Sequence, residues 1–285
     1  MVFRASKERR RKDPDPVGRG TPIVPSAAIE RKYKAQIDSF VIAMMADYRE
    51  QLKNAFENPD VEAFYAQDAT AAGVFKKILK RLDEKWKNVF EGFASKASRE
   101  FAGGVDTAAT ATALHSLSVA GVKEPKAMFN QYVQNTLEAA IDFNHTLIVN
   151  LQQEAHEKIY TSVMLSLSSP NPDEQGMTAI ENAVKDAGID AKDRVKLIAR
   201  DQTSKLYSAL ADDRCRENGV DEYEWAHSSA GKVPRESHKK MDGHIFKLDD
   251  PRLWQTGGEF DLKKGDLGPP GWAINCRCRR IPIIR

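Results

Sequence analysis

Along most of the chain apolar residues recur at steps of three and four. From Ser26, an N-cap candidate after Pro25, they run Ile29, Tyr33, Ile37, Phe40, Val41, Met44, Tyr48, Leu52 and Phe56. That spacing predicts one amphipathic helix of about eight turns, stopped by Asn58-Pro59-Asp60. A second stripe, from Val74 through Leu82 and Trp86 to Phe93, predicts a helix ending near Gly103-Gly104. Residues 107–120 are small and rich in Ala, Thr and Ser, and read as a weak helix or a loose connection. After Pro125, Met128, Phe129, Val133, Leu137, Ile141, Ile148, Ile159 and Val163 mark a third long helix, broken by Ser169-Pro170-Asn171-Pro172. A short helix over about 176–187 and another capped by Asp190 follow, the last closed by Gly219.

The pattern changes after residue 218. Residues 219–285 hold 8 of the 17 glycines and Trp225, Trp254 and Trp272, three of the four tryptophans. Tyr223 and Trp225 alternate as on a strand, and Pro234 suits the start of a short helix through Met241. Asp242-Gly243 is a turn leading into a strand at Ile245–Leu248. Cys278–Ile284 reads as a final strand, which Pro282 confines to a sheet edge. The expected fold is mainly α: an extended helical body followed by a C-terminal α+β module with a small sheet and short helices. The expected division is a mobile basic tail over 1–26, a helical body over 27–189 and a module over 190–285. Helices this long finish their burial against another chain, so oligomeric or docked use is expected.

Charge adds an asymmetry that the net +2 conceals. Residues 1–26 carry +4, including Arg9, Arg10, Arg11 and Lys12, and the last eleven residues add another +4 through Arg277, Arg279, Arg280 and Arg285. The body between is therefore acidic. The basic ends are candidate phosphate contacts, with Arg9, Arg10, Arg11, Lys12, Arg279 and Arg280 as the DNA-contact candidates. An odd count of three cysteines argues against a disulfide scaffold and for a reducing compartment. The first thirty residues lack the apolar core of a signal peptide, and no apolar run approaches the ~20 residues of a membrane helix. A protein kept inside a cell, without a membrane partner, is expected.

The informative residues come in order. Ile198-Ala199-Arg200 is followed by Tyr223-Glu224-Trp225, then by Arg235-Glu236-Ser237-His238 with Asp242-Gly243 four residues on. Pro269-Pro270-Gly271-Trp272 and Asn275-Cys276-Arg277-Cys278 close the set. Together they resemble the phage head morphogenesis family, the minor head proteins similar to that of phage Mu, closely over Val195–Ile283. The resemblance implies a structural protein of the procapsid interior, near the portal, without enzymatic activity. Its implied partners are portal, scaffold or capsid protein and phage DNA. Its implied location is the virion, with the host cytoplasm during assembly. Arg235, His238, Asp242, Gly243, Asn275, Cys276, Arg277 and Cys278 are its motif residues.

Those residues support two readings. Cys276, Cys278 and His238 are zinc donors, with His227 or His244 beside them, but the set offers three good ligands where structural zinc takes four. Some relatives in the family resemble a fuller site with Cys at positions 235 and 238; a guanidinium at Arg235 cannot ligate. The alternative is a hydrogen-bonded latch without a cofactor, in which Cys276 packs as a small hydrophobe and Arg235 or His238 reaches a carbonyl or carboxylate. The latch is the expectation. A metal-dependent nuclease using His238 with Glu236 or Asp242 lacks any D-x-D or H-N-H-like run to hold its metal. A DNA-binding protein without capsid attachment is the competitor from another class. Cys215, flanked by Arg214 and Arg216, reads as inert packing.

Overall fold

The computed structural model describes residues 17–57, 71–171, 176–229 and 234–285. Among them the element order is β1 (Gly18–Arg19), α1 (Ala27–Glu57), α2 (Ala71–Ala120), α3 (Gln131–Ser166), α4 (Gly176–Glu217), β2 (Glu222–Ala226), α5 (Glu236–Lys240), β3 (Ile245–Lys247) and β4 (Arg279–Ile284). Two 3₁₀ turns, Pro251–Trp254 and Lys264–Asp266, lie between β3 and β4. The fold is mainly α with a C-terminal α+β region, as expected. No helix among the described residues is long and apolar enough to cross a membrane.

The chain divides into two compact units. One comprises Arg31–Phe101 and Ile141–Ala199; the other comprises Ala102–Ala140, Arg200–Arg285 and the described part of the first thirty residues.

The first unit is built from segments of α1, α2, α3 and α4. The α1 stripe Tyr33, Ile37, Val41, Met44, Tyr48 and Leu52 is fully buried, as its spacing predicts. Polar groups inside the bundle are paired between helices. Tyr33 Oη donates to Asn144 Oδ1 at 2.9 Å, Trp86 Nε1 to Asp47 Oδ2 at 2.7 Å, and Gln152 Nε2 to Asp83 Oδ1 at 2.9 Å. His156 Nδ1 meets Tyr48 Oη at 2.8 Å and His145 faces Glu91, so both histidines hold helices together.

The second unit carries a four-stranded antiparallel sheet in the order β1-β4-β2-β3. Tyr223 and Trp225 point to one face and are fully buried with Leu117, Cys215, Phe246 and Phe260. Helix α4 ends as Gly219 suggests: its φ is +69° and Val220 N donates to Cys215 O, one turn capped backward.

Five expectations need correction. Residues 18–26 are not a mobile tail. Gly20 N donates to Pro282 O at 2.9 Å and Ile23 N to Arg280 O at 3.0 Å, while the Arg19 guanidinium grips Glu224 through two hydrogen bonds of 2.7 and 2.9 Å. Residues 1–16, with Arg9, Arg10, Arg11 and Lys12, lie outside the described residues. Accordingly β4 is an inner strand, and Pro282 is tolerated because its missing N–H faces the short β1 segment, where its carbonyl takes the bond from Gly20. Gly20 also lets this segment lie against α2, since a Cβ there would sit 2.4 Å from Ser116 Oγ.

The second helix does not stop at Gly103-Gly104. It continues to Ala120 because Ala102, Val105, Ala109, Ala113, Ser116 and Leu117 bury a stripe of mostly small side chains. Asp190 caps nothing; α4 is continuous from Gly176. The third helix begins at Gln131, where Asn130 Oδ1 accepts from Val133 N at 3.0 Å, and leaves Met128 and Phe129 exposed ahead of it.

Candidate functional site

Three pieces of backbone bring the motif residues together in the sheet-bearing unit. Strand β2 supplies Trp225, the single-turn helix α5 supplies His238, and the loop before β4 supplies Asn275, Cys276 and Cys278. The turn between α5 and β3 is set by Asp242-Gly243. Gly243 has φ +82° and its N–H donates to Trp225 O at 2.8 Å, while Asp242 Oδ1 accepts from His227 N at 2.7 Å. Asn275 occupies the left-handed region at φ +59°, a conformation that Asn tolerates and that turns Cys276 inward.

His238 is buried edge-on to the Trp225 ring, with centroids 5.0 Å apart. Its Nε2 lies 3.0 Å from Asp266 O, and its Nδ1 lies 3.5 Å from Cys276 Sγ and 3.6 Å from Cys278 Sγ. A carbonyl has no proton to give, so Nε2 carries the hydrogen. The three ligand atoms all fall within 4.8 Å of one another, and all three side chains are buried. A hydrogen bond from Cys278, against the opposing effect of burial, pulls the Cys276 thiol well down, helped by His238. The same bond and burial push Cys278 up. Burial opposes charging of His238, but its contacts with Cys276 and Asp266 raise it above the usual histidine range.

Asp266 is the hub beneath this cluster. Besides its carbonyl bond to His238, its carboxylate accepts from Ser237 Oγ at 2.7 Å and pairs with Arg235 Nε at 2.9 Å. Burial works against its charge, but Ser237, the Lys263 N–H, His238 and Arg235 together hold the carboxyl below the usual range. Arg235 also donates to Ile274 O at 2.9 Å, so it joins the Asp266 turn to the loop that carries Cys276. Arg235 thus reaches both a carboxylate, Asp266, and a carbonyl, Ile274 O.

One set of motif contacts escaped the sequence reading. Arg200, Ser204, Ser208 and Asp212 are four residues apart along α4 and share one face. Arg200 Nη1 donates to Asn275 Oδ1 at 3.4 Å, Ser204 Oγ to Cys276 O at 3.3 Å and Ser208 Oγ to Pro270 O at 2.8 Å. Asp212 pairs with Arg280. Arg214, buried, fastens the same helix to Thr110, Asp106 and the carbonyl of Met128. The only signal in the sequence is the period of four.

The C-terminal DNA-contact candidates separate. Arg280 is 2% exposed, bonded to Asp212 and Ser208 and placed 5.3 Å from the Tyr223 ring, so it cannot reach a phosphate. Arg279 is half-buried and donates to Cys278 O at 2.9 Å, and Arg277 is half-buried as well. Cys215 is buried and its thiol is pushed up to about 12 by burial, so it is inert.

The family described as Phage Mu protein F like protein matches residues 174–281, which takes in α4, the sheet strands β2 and β3 and the whole cluster around His238. An uncharacterized protein of Haemophilus influenzae (strain Rd) is 28% identical over 273 residues, covering 92% of this chain and 55% of the relative. The chain thus spans about half the length of the curated relative it matches. No solved structure matches. Every motif residue from Arg200 to Cys278 lies within residues 174–281, the part of the chain that is similar to the family described as Phage Mu protein F like protein.

Proposed function

We propose that the protein is a structural minor head protein of a tailed phage, placed inside the capsid near the portal, where it assists head assembly and contacts packaged DNA. The observation that carries this reading is the family match over 174–281. The disposition of the motif side chains supports it. Arg235, Asn275, Ser204 and Ser208 are spent on backbone carbonyls, carboxamides and carboxylates of their own module, which suits a rigid docking unit better than a turnover site. Portal, scaffold or capsid protein are the docking partners of this reading. The basic residues Arg9, Arg10, Arg11 and Lys12, with Arg277 and Arg279, are its contacts to DNA phosphates.

The reading is non-enzymatic: binding and assembly without covalent chemistry. It is tested in a phage carrying a stop codon early in the gene. The expected result is particles that are malformed or fail to deliver DNA, restored by supplying the protein in trans. Wild-type yields of infectious particles without the protein would overturn it.

A further inference from the structure

We propose that His238 Nδ1, Cys276 Sγ and Cys278 Sγ bind one zinc ion as a built structural centre that locks α5 to the loop before β4. The argument is geometric. Zinc–sulfur and zinc–nitrogen bonds of about 2.3 and 2.05 Å at a tetrahedral angle place S and N about 3.6 Å apart. The two S···Nδ1 distances are 3.5 and 3.6 Å, and the third separation stays within 4.8 Å. A latch without metal does not ask for this symmetry. One nitrogen lone pair accepts one S–H, so a latch needs only one sulfur on Nδ1 with the second bonded to the first, whereas both sulfurs lie at nearly the same distance from Nδ1.

The surroundings point the same way. His238 gives its Nε2 hydrogen to the Asp266 carbonyl, which fixes the ring and leaves Nδ1 as the ligating atom. That outer contact is what metal-bound histidines make, and Asp266 is itself held by Ser237 and Arg235. Charge balances too: two thiolates and a neutral imidazole around Zn²⁺ make a neutral centre, which a site this buried can hold. Binding releases two protons to solvent, leaving both sulfurs as thiolates and the imidazole neutral. Three protein donors leave a fourth position for water or a further donor. Arg235 bridges Asp266 and Ile274 and so ties the same two loops by hydrogen bonds.

The test uses the full chain, purified without a histidine tag under reducing conditions, and elemental analysis. The expected result is one zinc per chain, lost in Cys276→Ser and in Cys278→Ser and kept in Cys215→Ser. To keep the test independent of misfolding in those variants, the unmutated protein is also stripped and titrated with Co²⁺. A thiolate-to-cobalt absorption saturating at one equivalent, and abolished by one equivalent of Zn²⁺, is expected. A folded chain that takes up neither Zn²⁺ nor Co²⁺, or a Cys276→Ser/Cys278→Ser variant that still holds one zinc, overturns the proposal.

Discussion

At Asn275 the backbone turns with φ +59° on an exposed residue whose Oδ1 meets Arg200. A β-branched side chain resists that conformation, whereas Gly accepts it. Asn275→Val should lose about 1–2 kcal/mol by the left-handed penalty and Asn275→Gly much less, measured by urea unfolding. Arg280 and Asp212 form a buried pair, so Asp212→Ala should cost about 3–5 kcal/mol by stranding a guanidinium. At this scale the sequence is informative where residue identity decides the chemistry: His238, Cys276 and Cys278 are recognisable as candidate donors from identity and order alone. It was silent on Ser204 and Ser208, because their partners are carbonyls of Cys276 and Pro270, and a carbonyl carries no identity. It placed Arg280 among the DNA contacts because a basic run reads as exposed until its burial is seen.

Elements were legible where large apolar residues repeat. The stripe from Tyr33 to Leu52 gave α1 nearly residue by residue. Helix α2 past Gly103-Gly104 was not, because its buried face there is mostly alanine and serine, with only Val105 and Leu117 as larger apolar residues, a composition that also suits a loop. The two glycines weaken it: a Cβ at either meets nothing within 4 Å. Gly103→Ala and Gly104→Ala should each therefore stabilise the fold by about 0.5–1 kcal/mol, seen as a higher melting temperature. Strand β1 was missed since two residues beside prolines carry no period. Its anchor is the paired contact of Arg19 with Glu224, which is 3% exposed. Removing that partner in Arg19→Ala leaves a buried carboxylate and should cost about 1–3 kcal/mol in the same unfolding measurement.

For the whole molecule, the proposed division is by charge: an acidic body that docks and basic ends that touch nucleic acid. Binding through basic ends to phosphates should be sequence-blind and steeply salt-dependent. Replacing Arg9, Arg10, Arg11 and Lys12 by Gln should flatten the plot of log affinity against log salt by about 3–4 in slope, as each phosphate contact contributes about 0.9. An unchanged slope assigns DNA contact elsewhere. The particle itself gives the most direct measurement: quantitative mass spectrometry of purified phage, comparing filled heads with heads that have ejected their DNA. Peptides of this chain at a few copies per filled head are the predicted result. Their absence from highly purified particles, with the protein recovered only from the soluble lysate, would contradict the assignment of this chain to the phage head.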